Sequence, residues 1–140
     1  MGQPLELIEL TKRLFDLWKA GRFIPFLSVG AQSGELDSWT PLPKFSHDNV
    51  DIWIRRNPQY EAVRCWIICD FSRSPFVSRP HFEFAVHSVI SDLNGRLFDI
   101  TPDAVSRPYP FIRHPGTDGE FDHLRAKYGT MRLMHYLGEL

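Results

Sequence analysis

Residues 81–101, HFEFAVHSVISDLNGRLFDIT, constrain this chain more than any other stretch. Two runs of apolar, β-branched and aromatic residues flank Leu93-Asn94-Gly95, the pattern of a β-hairpin. Two registers compete. A two-residue Asn-Gly turn pairs Leu93 with Arg96, whereas a three-residue loop with Gly95 as a left-handed bulge residue pairs Asp92 with Arg96. One step of register moves a whole strand's side chains to the other face of its partner. The three-residue loop gathers Phe84, Val86, Ile90, Phe98 and Ile100 on one face, with His87, Val89, Ser91, Leu97, Asp99 and Thr101 on the other. The two-residue turn mixes Phe98 and Ile100 with His87 and Ser91. The clean apolar face selects the bulged loop.

That register has a chemical consequence. It sets Val89 opposite Asp99 and His87 opposite Thr101, so His87 and Asp99 are diagonal neighbours on one face, roughly 7–8 Å apart at the backbone. A carboxylate at that position accepts the Nδ1 proton of the imidazole, fixes its tautomer and leaves Nε2 as a base. Glu83 shares the face and is a rival orienter. It sits on the same strand as His87, four residues away, with poorer reach.

The rest of the chain supplies helices to cover the hairpin. Residues 4–20 carry Leu7, Leu10, Leu14, Leu17 and Trp18 at helical spacing, and Gly21 follows as a stop. Residues 22–29 read as a short apolar, extended stretch, and 30–45 as a loop holding Gly30, Gly34, Pro41 and Pro43. Ser46 is a good N-cap for a second helix, with Asp48 in its first turn, Val50, Trp53 and Ile54 at helical spacing, and Asn57-Pro58 as its end. Residues 61–71 read as a strand, 72–80 as a loop, and 102–116, with four prolines, as irregular. Residues 117–128 form a short helix begun by Thr117 or Asp118, and 130–137 a last strand. There is no repeat or linker. The order predicts one domain over 1–140, of the α+β class, with a helix packed on an antiparallel sheet.

Composition excludes several roles. The net charge is −1 with His neutral, and there is no basic stripe of the kind nucleic acid needs. Arg55-Arg56 and the Arg73–Arg79 stretch read as solvated charges. No apolar run approaches the roughly 18 residues of a membrane span. The charged, helix-patterned start predicts no signal peptide and a cytoplasmic location, with export by a dedicated secretion machine as the alternative. The two cysteines, Cys65 and Cys69, fall on one strand face about 13 Å apart. That spacing suits neither a disulfide nor zinc, so both read as reduced structural thiols. His81, His114, His123 and His135 lack ligand-like spacing. Neither a metal nor a cofactor is expected.

Three residues remain as chemistry. Ser46 opens a helix, where unpaired backbone N–H groups and positive potential suit an oxyanion. His87 and Asp99 supply a base and its orienter. Ser46 attacks a carbonyl if His87 lies within hydrogen-bond reach. Each also has a plain structural role: a capping serine, a strand histidine, an aspartate turned to water. Around them, Trp39 is a candidate cleft wall or core cover, His47 a cleft-lining or solvated first-turn residue, and Asn49 a supporting or loop-binding side chain. Trp53 and Trp66 belong to the core.

These segments resemble a family. SHDNV at 46–50, HSVI at 87–90, LFDITPD at 97–103 and PYPF at 108–111 are similar in order and spacing to papain-like Cys-His-Asp amidohydrolases, among them the protein N-terminal glutamine amidohydrolases. Small uncharacterised bacterial proteins with CH-x-N-V early and H-x-V…DG-x-L-x-D-[IV]-T-P later look similar too. The resemblance covers roughly residues 40–111. It implies a papain-like or transglutaminase-like fold, with Ser46 at the nucleophile position, His87 as general base and Asp99 as orienter; Trp39, His47 and Asn49 are the candidate substrate-binding residues beside them. The implied substrate is an amide of a peptide or protein, a glutamine side chain first, and the implied activity is hydrolysis or deamidation. The departure is Ser46 where the pattern has Cys. An engineered Cys→Ser change, a natural serine hydrolase and a scaffold that only binds peptides are the three readings of that departure.

Overall fold

The computed structural model of the chain describes residues 3–24, 45–101 and 110–138. Trp39 lies outside the described residues, as do the prolines of the 102–109 stretch.

Helix α1 (Leu5–Lys19) presents Leu7, Leu10 and Leu14 to the interior at helical spacing. The chain leaves it through Gly21 at φ +72, a left-handed exit that glycine takes without a Cβ penalty. Helix α2 (Ser46–Arg56) buries Ser46, Asn49, Val50 and Trp53. Strand β1 (Glu61–Asp70) is followed by β2 (His81–Ser91) and the short β3 (Leu97–Phe98). After β4 (Phe111–Arg113) come α3 (Asp118–Tyr128) and β5 (Arg132–Tyr136). Thr117 caps α3 by accepting from the Glu120 amide.

Among the described residues the architecture is α+β, with three helices and one five-stranded antiparallel sheet. Strand β2 is its centre. One edge pairs with β1 along ten residues, from Glu61↔Ser91 to Asp70↔Phe82, and β4 continues the sheet beyond β1. The other edge is shared. β5 pairs with His81–Ala85 and β3 with Ile90 and Ser91.

The hairpin has the register selected by its hydrophobic pattern. Ile90 pairs with Phe98 and Ser91 with Leu97, which continues to Asp92 opposite Arg96. The Asp92 amide donates to the Arg96 carbonyl at 2.9 Å, and Gly95 sits at φ +79. Two expectations need correction. The pairing of β3 is shorter than 96–101, because the Asp99 carboxylate captures the Thr101 amide at 3.0 Å and takes the chain out of the ladder. The 102–116 stretch is not irregular throughout. Phe111 and Ile112 form β4 against Ile67 and Trp66, and Phe111 also bridges to Ile24. Four nearby prolines concealed that short apolar pair.

The sheet's two faces are unequal. On one, Phe82, Phe84, Trp66 and Ile68 pack against α1 and against Phe121 and Leu124 of α3. Farther along the same face, Ile90 packs against Val50 and Trp53 of α2. Each fully buried large side chain contributes about 1.5–3 kcal/mol by leaving water, so this face drives folding. The opposite face gathers Cys65, Ile67, Phe111, Ala85 and Leu97.

Candidate active site at the edge of strand β2

His87 and Asp99 meet as the hairpin register predicts. His87 Nε2 lies 2.8 Å from Asp99 Oδ2, and both side chains are buried. The second carboxylate oxygen accepts from the Thr101 amide, so Asp99 is held from two sides. The nitrogen differs from the one expected: Nε2, and not Nδ1, faces Asp99. Glu83 is no rival, since it pairs with Arg132 at 3.0 Å farther down the strand.

Ser46 is placed differently from a capping serine. The N-cap residue is Phe45, and no side chain caps the helix. The Ser46 hydroxyl accepts from the amide of Ser88 at 3.3 Å. This follows from the shared edge of β2. Amides of even-numbered β2 residues point to that edge. Val86 donates to Met131 at 3.1 Å, just before β5 begins, and β3 pairs only with Ile90 and Ser91. Ser88 falls in the gap, and the start of α2 supplies the acceptor it needs. Ser46 thus meets β2 at the residue after His87, not at the imidazole. Strand alternation sends the His87 and Ser88 side chains to opposite faces, and α2 lies over the Ser88 face.

Beneath α2 runs a polar network that the sequence pattern did not reveal. His47 Nδ1 lies 2.5 Å from the Ser88 hydroxyl, which is fully buried. Arg64, opposite Ser88 in register, donates from Nη1 to the same oxygen at 2.9 Å and from Nη2 to Asp51 at 2.7 Å. Arg125 of α3 donates to Asp51 at 3.2 Å and to Asp48 at 2.9 Å. A guanidinium only donates, so the Ser88 proton needs its own acceptor, and His47 Nδ1 provides it. His47 is therefore the Nε2–H tautomer. Its pKa is pushed down to about 3 by burial first, then by the charges of Arg125 and Arg64. His47 is a neutral, partly buried connector and not a solvated first-turn residue. The signal for this network was the pair His47 and Ser88, each directly after a singled-out residue.

Asn49 is buried and donates to the Thr101 hydroxyl at 3.1 Å, which ties α2 to the segment after Asp99. The two cysteines are free thiols, as expected. Cys65 stands opposite His87 in register, which makes it the one true thiol beside the pair. Burial first, and then the charge of Asp99, raise its pKa far above the usual thiol value. It stays protonated, and a protonated thiol is a poor nucleophile. Among the described residues, no group of His, Cys, Asp and Glu side chains could hold a metal ion. No described helix is long and apolar enough to cross a membrane.

This chain matches no protein-family model, no curated protein and no solved structure. The geometry and the chemistry of its own residues carry the functional reading.

Proposed function

We propose that this chain is an amide or acyl hydrolase scaffold of papain-like type, with residue 46, His87 and Asp99 as nucleophile, base and orienter. The observation that carries the reading is the His87–Asp99 bond of 2.8 Å in a buried setting, one residue from the contact made by Ser46. Asp99 fixes the ring and stabilises the imidazolium that forms during reaction. The reaction requires the hydroxyl or thiol of residue 46 to leave the Ser88 amide and reach round the edge of β2 to the His87 ring, whose side chain lies on the other face. His87 Nδ1 takes its proton as the oxygen or sulfur bonds to the carbonyl carbon. Backbone N–H groups at the start of α2 hold the oxyanion. The imidazolium protonates the leaving nitrogen, and ammonia or an amine departs. Water then attacks the acyl group, gives its proton to His87, and the acid product leaves as residue 46 regains its proton.

An open cavity of about 690 Å³ runs along α2, bordered by Phe45, Asp48, Asp51, Ile52, Ile54 and Arg55, and residue 46, His87 and Asp99 do not line it. A glutamine side chain is the first substrate class, with deamidation as the outcome, and peptide or isopeptide cleavage the second. A serine hydroxyl has no pool of anion comparable to a thiolate's, so the Ser46 form is slow or inactive.

The test is Ser46→Cys with an electrophilic glutamine- or peptide-aldehyde probe. Labelling of position 46 that disappears in Ser46→Cys/His87→Ala supports the hydrolase. No labelling, together with tight peptide binding by the Ser46 protein, supports a binding module on the same scaffold. A fluorophosphonate that labels Ser46 directly identifies a serine hydrolase.

A further inference from the structure

Resting on the reading of residue 46 and His87 as reaction partners, we propose that Ser88, with Arg64 and His47, is a positioning clamp. It fixes the first turn of α2 against β2 and so sets the separation of residue 46 from His87. The geometry is sequence-adjacent on both sides: Ser88 follows His87, and His47 follows Ser46. Ser88 grips α2 twice, through its amide to the Ser46 hydroxyl at 3.3 Å and through its hydroxyl with His47 Nδ1 at 2.5 Å. Arg64 adds a third point. Its guanidinium spans the Ser88 hydroxyl at 2.9 Å and Asp51, one turn farther along α2, at 2.7 Å. A lysine at 64 presents a single ammonium and loses the planar two-ended bridge.

The clamp explains three otherwise separate features. A serine with no exposed surface sits in a strand otherwise rich in apolar residues. A histidine beside the helix start turns its Nδ1 onto that serine's hydroxyl. An arginine whose side chain is only 9% exposed is placed between sheet and helix. None of the three touches a substrate in this account. They act through the placement of Ser46 and His87.

The test uses the full chain and two readouts. Nitrogen NMR of the His47 ring should show a single Nε2–H tautomer in the parent protein. In Ser88→Ala and Arg64→Lys the ring signals should move toward the average of mixed tautomers, and Ser88→Thr should restore them. In the Ser46→Cys background, aldehyde labelling should fall at least tenfold with Ser88→Ala or Arg64→Lys, in samples shown by circular dichroism to be folded. Ser88→Thr should recover it. Unchanged ring signals in folded Ser88→Ala overturn the clamp. So does a labelling rate equal to that of the Ser46→Cys parent. If that parent itself does not label, the hydrolase reading fails, and the His47 signals alone then decide whether the clamp exists. Should Ser88→Ala fail to fold, Arg64→Lys carries both readouts.

Discussion

The Asp99 carboxylate serves two buried donors, His87 Nε2 at 2.8 Å and the Thr101 amide at 3.0 Å. Asp99→Ala removes both acceptors at once. Leaving buried donors unmet costs about 1–3 kcal/mol each. The expected loss of unfolding free energy is roughly 2–4 kcal/mol in a urea titration, with Asp99→Asn losing less because one amide oxygen remains. A loss under about 0.5 kcal/mol for Asp99→Ala would contradict a buried pair, since that is the size of an ordinary surface substitution.

Acid should weaken the fold through His47. Its folded pKa is depressed to about 3 from 6.5. The unfolded chain therefore binds the proton first. The stability from a neutral His47 is fully present above about pH 6.5 and is lost as pH falls toward 3. Between pH 7 and pH 5 the loss is about 2 kcal/mol by linkage. Burial also lowers the pKa values of His114 and His135, which adds slope of the same sign. The readout is thus a difference: His47→Gln, which keeps an acceptor for Ser88, should flatten the pH dependence of denaturant unfolding. An unchanged slope would remove His47 from the account.

The hairpin was legible in the sequence because a single physical constraint, one apolar face per register, decided it. That constraint also delivered the His87–Asp99 pair, whose partners are close in sequence. The place of Ser46 was harder to read. It depends on how far the pairings of β5 and β3 extend along one edge of β2, a relation among segments up to ninety residues apart. The helix start is plain in the sequence, and its hydroxyl suits either a cap or a nucleophile facing His87, whereas the fold gives it to the Ser88 amide. The Arg64–Asp51–Arg125 network was invisible for a similar reason, since it joins β1, α2 and α3 and none of those segments implies the others. β4 was missed because prolines dominate its surroundings.

The turn itself gives a clean test. Gly95 sits at φ +79, and a Cβ there would meet no atom within 4 Å. Gly95→Ala should therefore cost only the backbone penalty, about 1–2 kcal/mol, read as a lower melting temperature with unchanged secondary structure. A neutral or stabilising effect would mean that the turn is not left-handed at this position.

Native-state thiol chemistry should separate the two cysteines. Cys65 has no exposed surface and a raised pKa, while Cys69 is half-buried with a smaller barrier to ionisation. Mass-spectrometric mapping after a short exposure to iodoacetamide at pH 8 should find Cys65 unmodified, at least a hundredfold slower than after denaturation, on the order expected for a buried thiol. Rapid modification of Cys65 in the folded protein would instead nominate it as the nucleophile beside His87.

The most direct measurement concerns the thiol introduced by Ser46→Cys. Its alkylation rate by iodoacetamide, followed against pH by peptide mapping, reports the fraction present as thiolate. If residue 46 works with His87 and Asp99, the inflection should lie at least one unit below the usual thiol value of about 8.5, and His87→Ala should return it there. An inflection near 8.5 both with and without the imidazole would contradict the catalytic account.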